Sequence, residues 1–259
     1  MSDYKRIVVK IGTTSLVYDN GKLNFRKFEK LAWVLSDLMN HGTQVVLVSS
    51  GAIAVGAERL NLSERPRDVM GKQAASAVGQ AALMHIYENF FMGYNQQIAQ
   101  ILLTKDVIDD KEKRGNARNT IEALFTMNVI PIVNENDSVS TDELGFSDND
   151  TLSAYVARLV GAELLIILSD IDGLRESDPK INPDAKIISR VDEINDKLFD
   201  LAGSPGSSLG TGGMHTKLSA AQMATKVGIN TVIASGEDPK VLFDILSGEF
   251  TGTLFASKI

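Results

Sequence analysis

The chain has 259 residues, 44% of them hydrophobic, enough to fill a substantial core in one large or two small domains. Its net charge of −7 argues against a general nucleic-acid binder, which needs a basic face to neutralise phosphates. Without a cysteine, a bilayer-spanning apolar run or a signal-peptide core, the chain is expected to be cytoplasmic, bound to no membrane, and free of disulfides and thiolate-held metal.

Ile7-Val8-Val9-Lys10-Ile11 is a near-continuous apolar run ended by Gly12-Thr13-Thr14-Ser15, which predicts a buried parallel strand and a tight turn. An ammonium buried there without a partner is costly. Lys10 therefore faces a ligand at the strand's carboxyl end, pairs with a carboxylate, or snorkels from a sheet edge. Phe28, Leu31, Ala32, Leu35, Leu38 and Met39 predict a helix over 25–41, closed by Gly42. Val45 to Val48 reads as a second buried strand, ending in Ser49-Ser50-Gly51-Ala52. Residues 67–92 read as a long helix. Its small residues, Ala74, Ala75, Ala77, Gly79, Ala81 and Ala82, admit another helix, either across a two-fold subunit interface or within one subunit.

Ile98 to Leu103 is a third strand, the charged segment 109–114 a solvated face, and Asn116 to Met127 a helix with Arg118 either in a structural role at its start or reaching an anion. Val129 to Val133 is the fourth strand, and the dense polar run Asn134-Glu135-Asn136-Asp137-Ser138 follows it. The alternating segment 139–146 predicts a hairpin over the site. In Ser147-Asp148-Asn149-Asp150-Thr151, either Asp148 or Ser147 caps a helix running to Gly161. One such residue is enough for a cap, so the rest of the run asks for a second explanation.

Glu163 to Leu168 is the fifth strand, ending in Ser169-Asp170, and a loop-rich stretch leads to Gly210-Thr211-Gly212-Gly213-Met214-His215-Thr216-Lys217. Three glycines in four residues let a ligand approach the backbone closely. Lys217, Ala221, Ala224 and Gly228 then share one helix face, so the lysine points inward from the first turn. Helix-start amides plus one ammonium suit a polyphosphate. The run matches neither G-x-x-x-x-G-K-[ST] nor G-x-G-x-x-G. Ile229 to Ala234 is a sixth strand, a helix spans 239–246, and Gly252 to Phe255 offers a terminal strand.

Strands alternating with helices predict a three-layer α/β/α sandwich around a mainly parallel sheet. Ligands bind such sheets beyond the strands' carboxyl ends. The clusters at Lys10-Gly12-Thr13, Ser50-Gly51, Asn134 to Asp137 and Ser169-Asp170 all fall on that edge.

Val9-Lys10-Ile11-Gly12-Thr13, Val48-Ser49-Ser50-Gly51-Ala52-Ile53, Asn134-Glu135-Asn136-Asp137, Asp148-Asn149-Asp150 and the 210–217 run together resemble the glutamate 5-kinase family of the amino acid kinase superfamily, in order and over essentially the whole chain. The lysine–glycine opening is shared across the superfamily; the N-E-N-D, D-N-D and G-T-G-G-M-x-T-K combination is far more specific. The resemblance implies an amino acid kinase fold, with residues 1–259 as one domain, glutamate held mainly by the N-terminal portion and ATP mainly by 165–259. It implies that ATP donates its γ-phosphate to the side-chain carboxylate of L-glutamate for proline synthesis.

Carried over, Lys10 and Lys217 would hold the transferring phosphoryl group and Asp150 would position both lysines. Ser50, Gly51, Asp137, Asn149 and Asn134 would hold glutamate. Gly12, Thr13, Ser169, Asp170, Thr211, Gly212, Gly213, Met214, His215 and Thr216 would hold ATP together with the two lysines. Mg²⁺ would be bound mainly through the ATP phosphates, with no dedicated protein cage. Proline is implied as a feedback inhibitor, and a homo-oligomer, dimer or tetramer, is expected. The resemblance is expected to stop short of the C-terminal PUA domain of many relatives, and the chain departs from the family pattern in Ser147 where glycine is expected and in a loosely similar 143–146 tip. The rival acceptors within the superfamily are N-acetylglutamate, aspartate, carbamate and nucleotides, and the rival class is a catalytically silent sensor. Asp137 separates several of these, because an acetylated or phosphorylated acceptor offers no ammonium for it to meet.

Overall fold

The run Ile7–Ile11 becomes a central strand because every residue in it can be covered from both sides. In the computed structural model, which describes residues 4–18, 20–140, 146, 148–177, 182, 184–202 and 213–258, it forms β1 (Arg6–Ile11). The chain continues through α1 (Thr13–Leu16), α2 (Phe25–Asn40), β2 (Gln44–Val48), α3 (Ala52–Arg59), α4 (Val69–Met92) and β3 (Gln97–Leu103). Then come α5 (Lys105–Asp109), α6 (Lys111–Thr126), β4 (Val129–Glu135), α7 (Asn149–Val160) and β5 (Leu164–Ser169). The last elements are β6 (Arg190–Val191), α8 (Asp196–Leu201), α9 (Met214–Thr225), β7 (Asn230–Ser235), α10 (Val241–Ser247) and β8 (Thr253–Phe255).

The sheet order is β3-β4-β2-β1-β5-β7-β8-β6, parallel throughout except for the β7–β8 pair. Alternation along β1 sorts the layers: Ile7, Val9 and Ile11 pack with α2, α4 and α10, while Val8 packs with α6, α7 and α9. The result is the three-layer α/β/α arrangement with a mainly parallel sheet. Strand order reverses at β1, with β2 on one side and β5 on the other. That crevice is where such folds take ligands. Among the described residues no helix is long and apolar enough to cross a membrane.

One expectation, the start of the helix after β3, needs correction. The charged segment is exposed over 109–113, as expected, but it opens the helix rather than preceding it: Asp110 caps α6, accepting from the Lys113 amide at 2.8 Å, and the helix is under way at Lys111 instead of Asn116. Lysine, glutamate and arginine are good helix formers, so a charged run with a capping aspartate is itself a helix start. Arg118 consequently lies exposed in mid-helix. The segment expected as a hairpin is described only at Val139, Ser140 and Phe146; residues 141–145 and Ser147 lie outside the described residues, as do Gly203 to Gly212.

The small residues of α4 divide between two faces. A Cβ at Gly79 would lie 1.8 Å from the Ala52 carbonyl oxygen, and one at Gly56 would lie 1.8 Å from that of Ala75, so α3 and α4 touch backbone to backbone. Ala74, Ala77 and Ala81 are exposed, beside Met70 and Val78. Gly79→Ala is expected to cost about 3 kcal/mol or more, since backbone must move to admit the methyl. Chemical denaturation measures it, and an unchanged midpoint would contradict the close packing.

Candidate active site

Strand alternation sends Lys10 to the same face as Val8, the one covered by α7 and α9. Both helices begin at the sheet's carboxyl edge. Asp148 caps α7 through the Thr151 amide (2.8 Å), which puts Asp150 in the first turn, where the helix dipole favours a carboxylate. Lys217 lies in the first turn of α9, where the same dipole opposes it, so an acidic partner is required.

Asp150 is that partner for both amines. Its Oδ1 lies 2.6 Å from Lys10 Nζ, and its Oδ2 lies 3.1 Å from Lys217 Nζ and accepts from the Thr216 hydroxyl, also at 3.1 Å. Asp150, Lys10 and Lys217 are only 0%, 6% and 2% exposed. Burial works against the charge on Asp150, but the Lys10 and Lys217 ammoniums outweigh it and hold the carboxyl below the usual aspartate range. Of the alternatives for Lys10, pairing with a carboxylate is the one realised. Two cations on one anion leave these three side chains with one positive charge in excess, at the carboxyl end of β1.

On the β2–β4 side of Lys10 lies an amide network. Asn149 Nδ2 lies 2.8 Å from the Ser49 carbonyl oxygen, 2.9 Å from Ser50 Oγ and 2.9 Å from Asn134 Oδ1. Asn134 in turn donates to Gln80 Oε1 at 2.8 Å and accepts from the Glu135 amide at 2.9 Å. Gly51 has φ 103°, the left-handed region, and turns the chain from β2 into α3. A Cβ there would sit 3.7 Å from Thr13 Cγ2, so the exits of β1 and β2 adjoin. Asp137 accepts from the Ser76 hydroxyl at 3.2 Å; burial pushes its carboxyl above the usual range, partly offset by Ser76 and by the nearby charges of Arg65 and Lys72.

On the β5–β7 side, the Ser169 hydroxyl donates to Asp170 Oδ1 at 2.8 Å and the Ser169 carbonyl accepts from the Gly236 amide at 2.6 Å. The Gly12 amide donates to the Leu168 carbonyl at 3.3 Å, and a Cβ on Gly12 would lie 3.6 Å from Lys10 Nζ, in van der Waals contact with that amine. Gly213 caps α9 without a side chain, ahead of Met214, His215 and Thr216, and the His215 ring packs on Phe199 at 5.0 Å between centroids. Thr211 and Gly212 lie outside the described residues.

Four residues were absent from the expectations: Gln73, Ser76, Gln80 and Tyr87, all from α4. Gln73 donates to the Ser140 carbonyl at 3.1 Å, and the Tyr87 hydroxyl lies 2.8 Å from Ser49 Oγ. Burial pushes the Tyr87 hydroxyl up, with the Ser49 hydrogen bond acting against it. Their spacing is a polar stripe on one helix face, a signal present in the sequence. Among the described residues no group of three or more acidic or histidine side chains converges to cage a metal, and both Asp150 oxygens are taken by lysines. Such a donor set suits an ion carried in on phosphate oxygens and water.

Residues 5–235 match the model of the amino acid kinase family. Over its whole length the chain is 52% identical to the glutamate 5-kinase of Clostridium perfringens, covering 97% of that protein. It is also 52% identical to that of Enterococcus faecalis, with 97% of this chain and 94% of that protein covered. Among solved structures, carbamate kinase from Giardia lamblia bound to AMP-PNP superposes with a TM-score of 0.69 at 18% identity over 100% of both chains. UMP kinase from Ureaplasma parvum gives 0.68 at 17% identity, over 98% of this chain and 99% of that one. At such identities these two structures speak to the fold.

Proposed function

Since the chain belongs to the amino acid kinase family, and within it to the glutamate 5-kinases, we propose that it transfers the γ-phosphoryl group of ATP to the side-chain carboxylate of L-glutamate. The product is L-glutamyl 5-phosphate, for cytoplasmic proline synthesis. The observation that carries the chemistry is Asp150 holding Lys10 and Lys217 by opposite oxygens.

A glutamate side chain, with a pKa near 4.3, is already a nucleophile at neutral pH, so no general base is needed. Its oxygen forms the new bond to phosphorus as the bond to the ADP oxygen breaks, and the electron pair leaves with ADP. What remains for the protein is in-line positioning and charge neutralisation. Lys10, from the acceptor side of the crevice, and Lys217, from the nucleotide side, flank the moving group, while Asp150 fixes the distance between them. When bound with the nucleotide, Mg²⁺ supplies further neutralisation of the β- and γ-phosphate oxygens.

Ser50, Gly51 and Asn149 receive the acceptor, with Asn134 acting chiefly by holding Asn149. Asp137 meets the α-ammonium, and proline, which shares an ammonium and a carboxylate with glutamate, competes there as an inhibitor. Gly12, Thr13, Ser169, Asp170 and the 211–217 run take the nucleotide. The exposed face of α4, with Ala74, Ala77, Ala81, Met70 and Val78, pairs two copies of the chain. Light scattering showing monomer alone would remove that last assignment.

ATP turnover against a panel of acceptors tests the reading: glutamate is expected to be phosphorylated, and transfer to N-acetylglutamate but not to glutamate would overturn it. Asp137→Asn is expected to raise KM for glutamate by about ten- to a hundredfold, the worth of one charged hydrogen bond. Because the Asp137 carboxyl is raised, it loses its charge before an ordinary aspartate does as pH falls. In the wild type KM for glutamate should therefore climb as pH drops through that raised value. Loss of that climb in Asp137→Asn separates it from titration of the substrate's own carboxylate; identical profiles would contradict the role.

A further inference from the structure

We propose that Glu135 is a positioning residue for the amino-acid acceptor, holding the turn that carries Asp137 at the end of β4; this rests on the glutamate kinase reading above. Glu135 is only 8% exposed, and a carboxylate so placed needs partners. Its Oε1 accepts from the Ser140 hydroxyl at 2.8 Å and from the Phe146 amide at 3.0 Å. Both donors lie downstream of Asp137, so the bonds close the chain back onto the strand it has just left.

The turn is fixed from the other side by α4. Gln73 Nε2 donates to the Ser140 carbonyl, and Ser76, on the same helix face, donates to Asp137 Oδ2. Within the turn, the Val139 and Ser140 amides both donate to the Asn136 carbonyl, and the Asn136 amide donates to Leu103. Glu135, Ser140, Gln73, Ser76 and Asp137 thus form a closed frame between β4 and α4. Removing Glu135 opens one side of it and lets the Asp137 carboxylate drift from the place where an α-ammonium would meet it. Among the described residues Glu135's side-chain bonds run to Ser140 and Phe146, while Asp150 is bonded to Lys10, Thr216 and Lys217, so phosphoryl transfer itself should be spared.

The surroundings of Glu135 disfavour its charge: burial raises its carboxyl, Ser140 and Phe146 offset this in part, and Asp137 and Asp148 add to it. A neutral amide of the same shape keeps the accepting oxygen, so Glu135→Gln should behave nearly as the wild type while Glu135→Ala does not.

Steady-state kinetics of the full chain, with glutamate and ATP varied separately and thermal unfolding measured alongside, tests this. Glu135→Ala is expected to raise KM for glutamate about ten- to a hundredfold, leaving kcat and KM for ATP little changed, and Glu135→Gln to restore KM. If Glu135→Ala does not fold, Ser140→Ala, which removes one of the two bonds, carries the test with a smaller rise in KM for glutamate alone. An unmoved KM for glutamate, an equal rise in both KM values, a fall in kcat, or a glutamine variant as impaired as alanine would overturn the proposal. Failure of the wild type to phosphorylate glutamate at all would sink the functional reading instead.

Discussion

Lys217→Ala is expected to lower kcat by about a hundred- to a thousandfold, the cost of removing one preorganised charge from a developing transition state. KM for glutamate should change little, because Ser50, Asn149 and Asp137, the residues proposed to hold the acceptor, lie on the β2–β4 side of β1. The same change also leaves a hole and half-strips Asp150 of its partners, since Lys217 is 2% exposed and bonded to Oδ2. Lys217→Met separates the two effects by filling the volume without the charge. It should lose as much kcat as Lys217→Ala while unfolding at a higher temperature. A methionine variant that retains turnover would remove Lys217 from the chemistry.

Asp150→Asn should have the largest effect on stability. It leaves two nearly inaccessible ammoniums, 2.6 and 3.1 Å away, without the carboxylate that bridges them. Breaking a buried pair in this way costs about 3–5 kcal/mol, and kcat should fall with it because nothing then sets the spacing of the amines. The pH dependence carries a definite sign. The folded Asp150 carboxyl is held below its ordinary value, so its contribution is full above the unfolded aspartate pKa of about 3.9 and disappears as pH falls through the lower folded value. The stability gap between wild type and Asp150→Asn should therefore be wide at neutral pH and narrow in acid. Glu135, Asp137 and Asp148 act oppositely: their raised carboxyls lose stability as pH rises. Urea titrations at neutral and acidic pH measure the gap, and one that does not vary with pH would contradict the lysine–aspartate–lysine account.

Much of the frame was legible because buried parallel strands read as apolar runs. Ile7–Ile11, Val45–Val48 and Leu164–Leu168 each stand out without any knowledge of their neighbours. Lys10 was conspicuous for the same reason, as a charge inside such a run. Its partner was not derivable from spacing: Asp150 lies on a helix far along the chain, and only the family resemblance linked the two. The α4 stripe was missed because its bonds reach distant residues, Gln80 to Asn134 and Ser76 to Asp137, and a polar stripe among alanines reads equally well as a solvated face. The short elements α1, α5, α8 and β6 are too brief to show a period. The start of α6 was hidden by its charge, which marks an exposed face and favours a helix at the same time.

A crystal structure with L-glutamate, ADP, Mg²⁺ and a planar fluoride mimic of the moving phosphoryl group tests the central claim most directly. Lys10 Nζ and Lys217 Nζ should each lie about 3 Å from the mimic or its bridging oxygens, with Asp150 still between them. Either amine beyond about 3.6 Å from every such atom, or turned away from the crevice, would contradict the account.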